Sequence, residues 1–299
     1  MHTPLSRRTA LKTLAGATAL GLNASMPSAA AAASAESSAP YRIKNGRVRQ
    51  SVVAWCFNPM PVPELAQHAA AMGLKSVELC DPKFWPELKR LGLTCAIAGS
   101  HGFAKGFAHV EEHDECVAML RKRIDESVAA GVERVITFSG FRRGLSDEAG
   151  MKNMVDGLKK IVGYAEQKKI TLCLEMLNSR VAIEMKGHPD YFCDDMERTV
   201  EICRRVGSER LMVLFDLYHV QIMHGDVIAR LRQHRAFIGH VHTAGVPGRN
   251  EIGDTQELNY PALVRTLLEI GYKGFLGQEF IPTRDKVASL AEGVRICDV

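Results

Sequence analysis

The sequence lacks the features that mark a disulfide-stabilised, membrane-spanning or nucleic-acid-binding protein. No two of its eight cysteines form a C-x-x-C pair, and most lie in apolar runs, so we interpret them as buried free thiols. The apolar run from Leu14 to Leu22 is too short to span a membrane. The net charge is only +4, and three basic residues lie within the first twelve positions. The remainder is near neutral, which gives no support for nucleic-acid binding.

Two nucleotide-binding motifs are also missing. No G-x-G-x-x-G follows the first predicted strand, which argues against a Rossmann fold, and no G-x-x-x-x-G-K-[ST] occurs, which excludes a P-loop. The whole chain has 299 residues, of which 46% are hydrophobic and 24% are charged, and this is an ordinary composition for a globular protein. This length suits one α/β barrel of roughly 250 residues or two smaller domains.

The first 35 residues read as an export signal. Arg7 and Arg8 lie in a basic segment, an apolar run follows, and Ala33-Ser34-Ala35 forms an A-x-A cleavage site. The paired arginines resemble a twin-arginine signal, with Ala10 in place of the usual large apolar residue. The alternative is an amphipathic N-terminal helix. We expect a signal peptide at 1–35, an N-terminal extension at 36–49 and the folded domain at 50–299, in a protein exported to the periplasm.

From residue 50 onward, short apolar runs alternate with longer amphipathic stretches, which predicts repeated β–α units and a parallel sheet. Eight strands are predicted, at Ser51–Phe57, Lys75–Leu79, Thr94–Ala98, Arg134–Phe138, Thr171–Glu175, Met212–Asp216, Gly239–His242 and Gly274–Glu279. Helices are predicted at Pro63–Met72, Asp114–Ala130, Lys152–Lys168, Met196–Val206, Val227–His234 and Tyr260–Ile270. Eight units in about 250 residues predict a single closed (β/α)₈ TIM barrel.

Ionisable residues end four of the later predicted strands. They are Glu175, Asp216, His242 and Glu279. In a barrel these residues meet at the carboxyl end of the sheet, where catalytic groups are placed. Three buried carboxylates need compensation, and no Arg or Lys occurs at those strand ends. We therefore predict one divalent metal ion bound by these four side chains. The oxygen-rich set suits Mn²⁺ or Mg²⁺, and the histidine shifts the preference toward Mn²⁺ or Co²⁺.

Three other histidines lie near predicted strand ends. His219 follows Asp216 by three residues, so it faces the same pocket or supports the ligands from behind. His240 points to the same side as His242 but one layer deeper, which predicts a packed supporting residue. His101 follows the third predicted strand and lies within reach of the pocket rim.

The later strands carry motifs that resemble those of the hydroxypyruvate isomerase family, within the xylose-isomerase-like barrel superfamily. The matching stretches are Leu174-Glu175-Met176-Leu177-Asn178, Phe215-Asp216-Leu217-Tyr218-His219-Val220-Gln221-Ile222-Met223, His240-Val241-His242, Pro247-Gly248-Arg249-Asn250-Glu251, Asn259-Tyr260, and Gly271-Tyr272-Lys273-Gly274-Phe275 with Glu279. The resemblance spans residues 50 to 284. The D-x-Y-H-x-Q-I-M string with the downstream P-G-R is its most specific part.

The resemblance implies a metal held by Glu175, Asp216, His242 and Glu279, with the two glutamates exchanging the substrate proton. It also implies that His219 and Arg249 contact substrate oxygens. We include Asn178 and His101 among the substrate-binding candidates.

The sequence leaves the reaction outcome open. A metal-chelated α-hydroxycarbonyl has an acidified C–H bond, and two carboxylates can move its proton through an enediolate. Return of the proton to the adjacent carbon isomerises the substrate, as in hydroxypyruvate to tartronate semialdehyde. Return to the opposite face of the same carbon epimerises it. His242 stands where hydroxypyruvate isomerases carry Gln, and histidine there resembles the ketose 3-epimerase branch. Arg249 favours an anionic carboxylate substrate.

Two other classes remain as alternatives. One is an apurinic-endonuclease-like enzyme, which needs more histidines and a basic face. The other is a non-catalytic exported sugar-binding barrel. The presence of both Glu175 and Glu279 is evidence against this alternative. We expect a small-molecule substrate, no nucleic acid, and no membrane association after signal cleavage. Homo-oligomerisation is left open.

Overall fold

The computed structural model describes residues 41–299, so the predicted signal at 1–35 lies outside the described residues. The described part contains seven named strands. These are β1 (Arg49–Val53), β2 (Ser76–Glu78), β3 (Arg134–Thr137), β4 (Thr171–Glu175), β5 (Leu211–Asp216), β6 (Ile238–Thr243) and β7 (Phe275–Gln278). All neighbouring strands pair in parallel, in the order β2-β1-β7-β6-β5-β4-β3. The parallel sheet confirms the predicted β–α alternation.

Helices follow or flank the strands. They are α1 (Val62–Met72), α2 (Trp85–Arg90), α3 (His113–Ala130), α4 (Asp147–Lys168), α5 (Met196–Val206), α6 (Leu217–Met223), α7 (Val227–Gln233), α8 (Tyr260–Glu269) and α9 (Lys286–Cys297). Short polar side chains begin several of them: Ser146 caps α4 and Asp195 caps α5 by accepting a backbone N–H bond. Gly131 ends α3 with a φ of 75°, a left-handed conformation that glycine adopts without a Cβ penalty.

The predicted third strand, Thr94–Ala98, is not a regular strand, but it closes the ring between β2 and β3. Val77 N–H donates to the Thr94 carbonyl at 3.1 Å, and Ala98 N–H donates to the Arg134 carbonyl at 2.9 Å. Between these points the Ala96 N–H donates to the Ser76 hydroxyl at 2.7 Å, so a side chain interrupts the backbone ladder. The segment supplies the eighth position of the (β/α)₈ barrel.

The core lies inside the barrel and between the sheet and its helices. All eight cysteines are buried free thiols, as the sequence predicts. No helix within residues 41–299 is long and apolar enough to cross a membrane.

Candidate active site

Four consecutive strands of the barrel bring the predicted ligands together. Glu175 ends β4, Asp216 ends β5, His242 lies near the end of β6, and Glu279 directly follows β7. Asp216 is paired with His242 in the sheet register, and the Glu279 N–H donates to the Thr243 carbonyl at 2.9 Å. One ligating atom from each of the four side chains lies within 4.8 Å of all the others. The structure therefore gathers the predicted set at one point.

The donor set fits a divalent cation. All four side chains are buried, and Glu175 Oε1 and Asp216 Oδ2 have no hydrogen-bond partner within residues 41–299. Buried polar atoms without partners are costly, and they are rare in folded proteins. Three carboxylates and one imidazole nitrogen converging at this distance match the oxygen-rich ligands of hard and borderline divalent metals.

Burial, mutual repulsion and nearby cations shift the pKa values of the three carboxylates in the cluster. Burial and the neighbouring Glu279 raise the pKa of Asp216 to about 7, and the same two causes raise the pKa of Glu175 well above its usual value. Burial also acts to raise the pKa of Glu279, but Arg249 and His242 outweigh it and hold that pKa well below the usual value. The cluster is thus short of cationic charge, which a divalent metal ion would supply.

The expectation that no Arg neutralises these strand ends is wrong. Arg249, in the loop after β6, places Nη2 2.6 Å from Glu279 Oε2 and 3.6 Å from Asp216 Oδ2. Its guanidinium also lies 5.1 Å from the centre of the Trp55 ring. This contact could not be predicted from the sequence, because Arg249 is separated from Glu279 by thirty positions and reaches it only when the loop folds back. One guanidinium still leaves two carboxylates to be compensated.

We expect Arg249→Met to destabilise the metal-free protein by about 3–5 kcal/mol, because it leaves the buried Glu279 carboxylate without its partner. Arg249→Lys keeps the charge and should cost less. Chemical denaturation of each variant with and without Mn²⁺ measures the effect. The loss should shrink when Mn²⁺ is present, since the cation then compensates Glu279. An equal loss in both conditions would show that Arg249 contributes packing alone.

His219 is held in one tautomer beside the cluster. Its Nδ1 accepts a bond from the Asn178 backbone N–H at 3.1 Å, so the ring hydrogen of the neutral form lies on Nε2. Burial and Arg249 lower the pKa of His219 well below its usual value, which favours that neutral form. Nε2 lies 3.5 Å from Asp216 Oδ2 and has no hydrogen-bond partner in the described region. His219 therefore presents a free N–H donor at the cluster.

Two predicted substrate-binding residues, Asn178 and His101, make hydrogen bonds within the protein. The Asn178 side chain lies 2.7 Å from His219 Nδ1 and donates to the Lys186 carbonyl, so it orients His219. The His101 ring places Nδ1 3.1 Å from the Lys105 carbonyl and Nε2 3.0 Å from Thr137 Oγ1. Both ring nitrogens of His101 thus have partners within the protein, and its contact with substrate stays a prediction.

A cavity of about 260 Å³ opens onto the cluster. Glu175, Glu279, Arg249 and His188 form its polar part, and Trp55 belongs to its apolar wall. This volume lies below the roughly 300–1,000 Å³ typical of drug-sized ligand sites, so it suits a small molecule. A larger cavity of about 530 Å³ lies at the amino end of β5, away from the ionisable cluster.

Sequence reasoning missed Glu78, the last residue of β2. Its side chain is fully buried, and its Oε2 lies 2.7 Å from His240 Nε2. This contact confirms the prediction that His240 is a packed supporting residue. The sequence did carry a sign of this residue, because Glu78 is an acidic residue at the end of the short run Ser76-Val77-Glu78. Glu175 and Asp216 were predicted as site residues from the same pattern, a carboxylate at the end of a strand.

Comparison with known proteins identifies the family. Residues 66–297 match the family described as xylose isomerase-like TIM barrel. The chain belongs to this family. The family assignment agrees with the closed parallel barrel and with the ionisable cluster at its carboxyl end.

Proteins similar to this chain include named isomerases. A 2-oxo-tetronate isomerase from Cupriavidus necator is 30% identical over 238 residues, covering 74% of this chain and 88% of the relative. A human protein named "Putative hydroxypyruvate isomerase" is 29% identical over 244 residues, covering 80% and 81%. A solved structure titled AP endonuclease, family 2, from Brucella melitensis has a TM-score of 0.71 and 27% identity, covering 82% of this chain and 97% of its own.

Proposed function

We propose that this protein is a metal-dependent isomerase of a small α-hydroxycarbonyl acid and that it converts hydroxypyruvate to tartronate semialdehyde. The observation that carries the proposal is the placement of Glu175 and Glu279 in one ligand cluster that lines a small cavity beside Arg249. Relatives named isomerases of hydroxypyruvate and 2-oxo-tetronate support this substrate class, since both names denote short oxo acids.

The site's own residues account for binding and proton transfer. A divalent metal, when bound, acts as a Lewis acid that acidifies the C–H bond next to a carbonyl. One carboxylate, Glu175 or Glu279, removes that proton from C3 of hydroxypyruvate, and the other returns a proton to C2. The hydrogen of the C3 hydroxyl passes to the former carbonyl oxygen on C2, which leaves an aldehyde at C3 and a hydroxyl at C2. His219 donates from Nε2 to a substrate oxygen. Arg249 has an Nε without a hydrogen-bond partner in the described chain, which provides a donor for the substrate carboxylate.

We propose Mn²⁺ or Mg²⁺ as the metal, with Co²⁺ as an alternative. Three carboxylates favour the hard cations, and the imidazole of His242 favours Mn²⁺ over Mg²⁺.

A ketose 3-epimerase activity is the second candidate, and His242 is the observation that favours it. A histidine in the third ligand position, at residue 242, resembles the epimerase branch, and the same metal ligands serve both reactions. The small cavity and the buried Arg249 favour an acid over a neutral hexose. The same features argue against a nuclease, which must admit a DNA strand.

The proposal is tested by incubating the Mg²⁺-loaded protein separately with hydroxypyruvate and with free ketoses, and by following the products by NMR. We expect tartronate semialdehyde from hydroxypyruvate and little change in the ketoses. Epimerisation of a ketose at C3 without turnover of hydroxypyruvate would establish the second candidate instead.

We also propose that residues 1–35 direct export by the twin-arginine route, with the mature chain beginning near Glu36. The support is the sequence pattern of Arg7, Arg8 and the A-x-A site. Arg7→Lys combined with Arg8→Lys should trap the protein in the cytoplasm, as measured by cell fractionation. Unchanged export of the double variant, or an intact amino terminus on the periplasmic protein, would refute the proposal.

A further inference from the structure

A second layer of ionisable side chains lies directly behind the metal ligand His242. Glu78, His240 and His242 are all fully buried, and one ligating atom of each lies within 4.8 Å of the others. The Ser51 hydroxyl donates to Glu78 Oε1 at 2.7 Å, and His240 Nε2 lies 2.7 Å from Glu78 Oε2. Glu78 Oε1 is thus fixed by a hydrogen bond, and Oε2 is in close contact with the His240 ring.

The His242 ring connects this layer to the proposed metal centre. Its Nδ1 faces the ligand cluster, 3.0 Å from Glu279 Oε2 and 3.9 Å from Glu175 Oε1. Its Nε2 faces the other way and lies 3.7 Å from Glu78 Oε1. A histidine binds a metal through one nitrogen while the other carries the hydrogen, and a carboxylate next to that other nitrogen favours this arrangement.

Gly277 on β7 leaves the space in which Glu78 and His242 meet. It is paired with His242 in the sheet register. A Cβ atom at this position would lie 2.0 Å from Glu78 Oε1 and 2.8 Å from His242 Cδ2. Both distances are too short for any side chain, so the close approach of carboxylate and ring depends on glycine here.

We propose that Glu78 is a positioning residue that keeps the hydrogen of His242 on Nε2 and thereby leaves Nδ1 free to bind the metal. The Ser51 hydroxyl holds the carboxylate in place for this role, and the His240 ring packs against its other oxygen. The inference rests on the metal centre of the proposed function, but it does not depend on which substrate is isomerised.

Glu78→Gln tests the inference sharply, because an amide keeps the shape of the side chain but removes its charge and can donate a hydrogen to Nε2. We expect Mn²⁺ affinity, measured by the electron paramagnetic resonance of free Mn²⁺, to fall by about 10- to 100-fold, the usual effect of losing a group that orients a ligand. Turnover at saturating Mn²⁺ should recover most of the wild-type value. Ser51→Ala removes one bond that holds Glu78 but keeps the charge, so its loss of Mn²⁺ affinity should be smaller than that of Glu78→Gln.

Nitrogen-15 NMR of labelled histidine reports which ring nitrogen of His242 carries the hydrogen. This tautomer should not change if Glu78 contributes only to packing. In the Mg²⁺-loaded wild type, the His242 signals, assigned with a His242→Gln variant, should show the hydrogen on Nε2; in Glu78→Gln a second tautomer should appear. If Glu78→Gln does not fold, Glu78→Asp carries the test, because it withdraws the carboxylate from the ring and should weaken Mn²⁺ binding several-fold.

Three outcomes would overturn the inference. Wild-type Mn²⁺ affinity in the folded Glu78→Gln or Glu78→Asp variant would show that Glu78 does not act on His242. Two Mn²⁺ ions per wild-type chain, one of them lost in Glu78→Gln, would make Glu78 a ligand rather than a positioning residue. No Mn²⁺ binding by the wild type would overturn the metal centre itself, and the proposed function with it.

Discussion

Glu175→Gln and Glu279→Gln are each expected to lower turnover by at least ~100-fold, the usual scale for losing general acid–base catalysis. Both side chains belong to the ligand cluster and line the cavity, so each carboxylate has one oxygen for the metal and one for the substrate proton. Glutamine keeps the shape and a carbonyl ligand but cannot accept the proton. Steady-state kinetics with hydroxypyruvate measures the effect.

The KM values should change much less than kcat in these variants, since the lost interaction acts in the transition state. Mn²⁺ titration of each variant is the control, and kinetics are measured at saturating metal. If one glutamate only removes the substrate proton and the other only returns a proton, the two variants should differ. The variant that keeps the proton-removing glutamate should still exchange the substrate proton with solvent without completing turnover. Wild-type turnover in either variant would show that the residue is a ligand only.

Removal of the metal is expected to abolish activity, and Asp216→Asn is expected to weaken metal binding more than it perturbs the fold. Asp216 is fully buried at the end of β5, and its loss leaves the cation with less compensating charge. Bound Mn²⁺ at 100 times its Kd should stabilise the wild type by about 2.7 kcal/mol.

Metal analysis, activity after chelation and thermal unfolding with added Mn²⁺ check this prediction together. Re-addition of Mn²⁺ or Mg²⁺ should restore the lost activity, and Asp216→Asn should show a smaller rise in Tm than the wild type. Full activity after exhaustive chelation, with no metal detectable, would remove the metal from the mechanism.

The regular elements of the fold were accessible from the sequence because their patterns are local. The apolar runs that predict Thr171–Glu175 and Met212–Asp216 coincide closely with β4 and β5, and Met196–Val206 is helix α5 as predicted. Thr94–Ala98 differs because Ser76, a residue of another strand, takes the Ala96 N–H. Such competition between a side chain and the backbone ladder has no signature in the segment itself.

The site residues that lie at the ends of strands were predictable from the sequence. Contacts made by residues in loops that fold back over the site were less predictable. Glu175, Asp216, His242 and Glu279 meet because parallel strands align their carboxyl ends. The pairing of Arg249 with Glu279 depends on the path of a loop, which residue spacing does not define.

The central claim is that this site moves a proton between adjacent carbons of hydroxypyruvate. The most direct test is to run the reaction in D₂O with the Mg²⁺-loaded protein and to follow C3 of the substrate and C2 of the product by NMR. We predict that deuterium enters C2 of tartronate semialdehyde and that this incorporation is lost in the Glu175→Gln, Glu279→Gln double variant. Product that retains the substrate hydrogen completely, formed equally well by the double variant, would contradict the account.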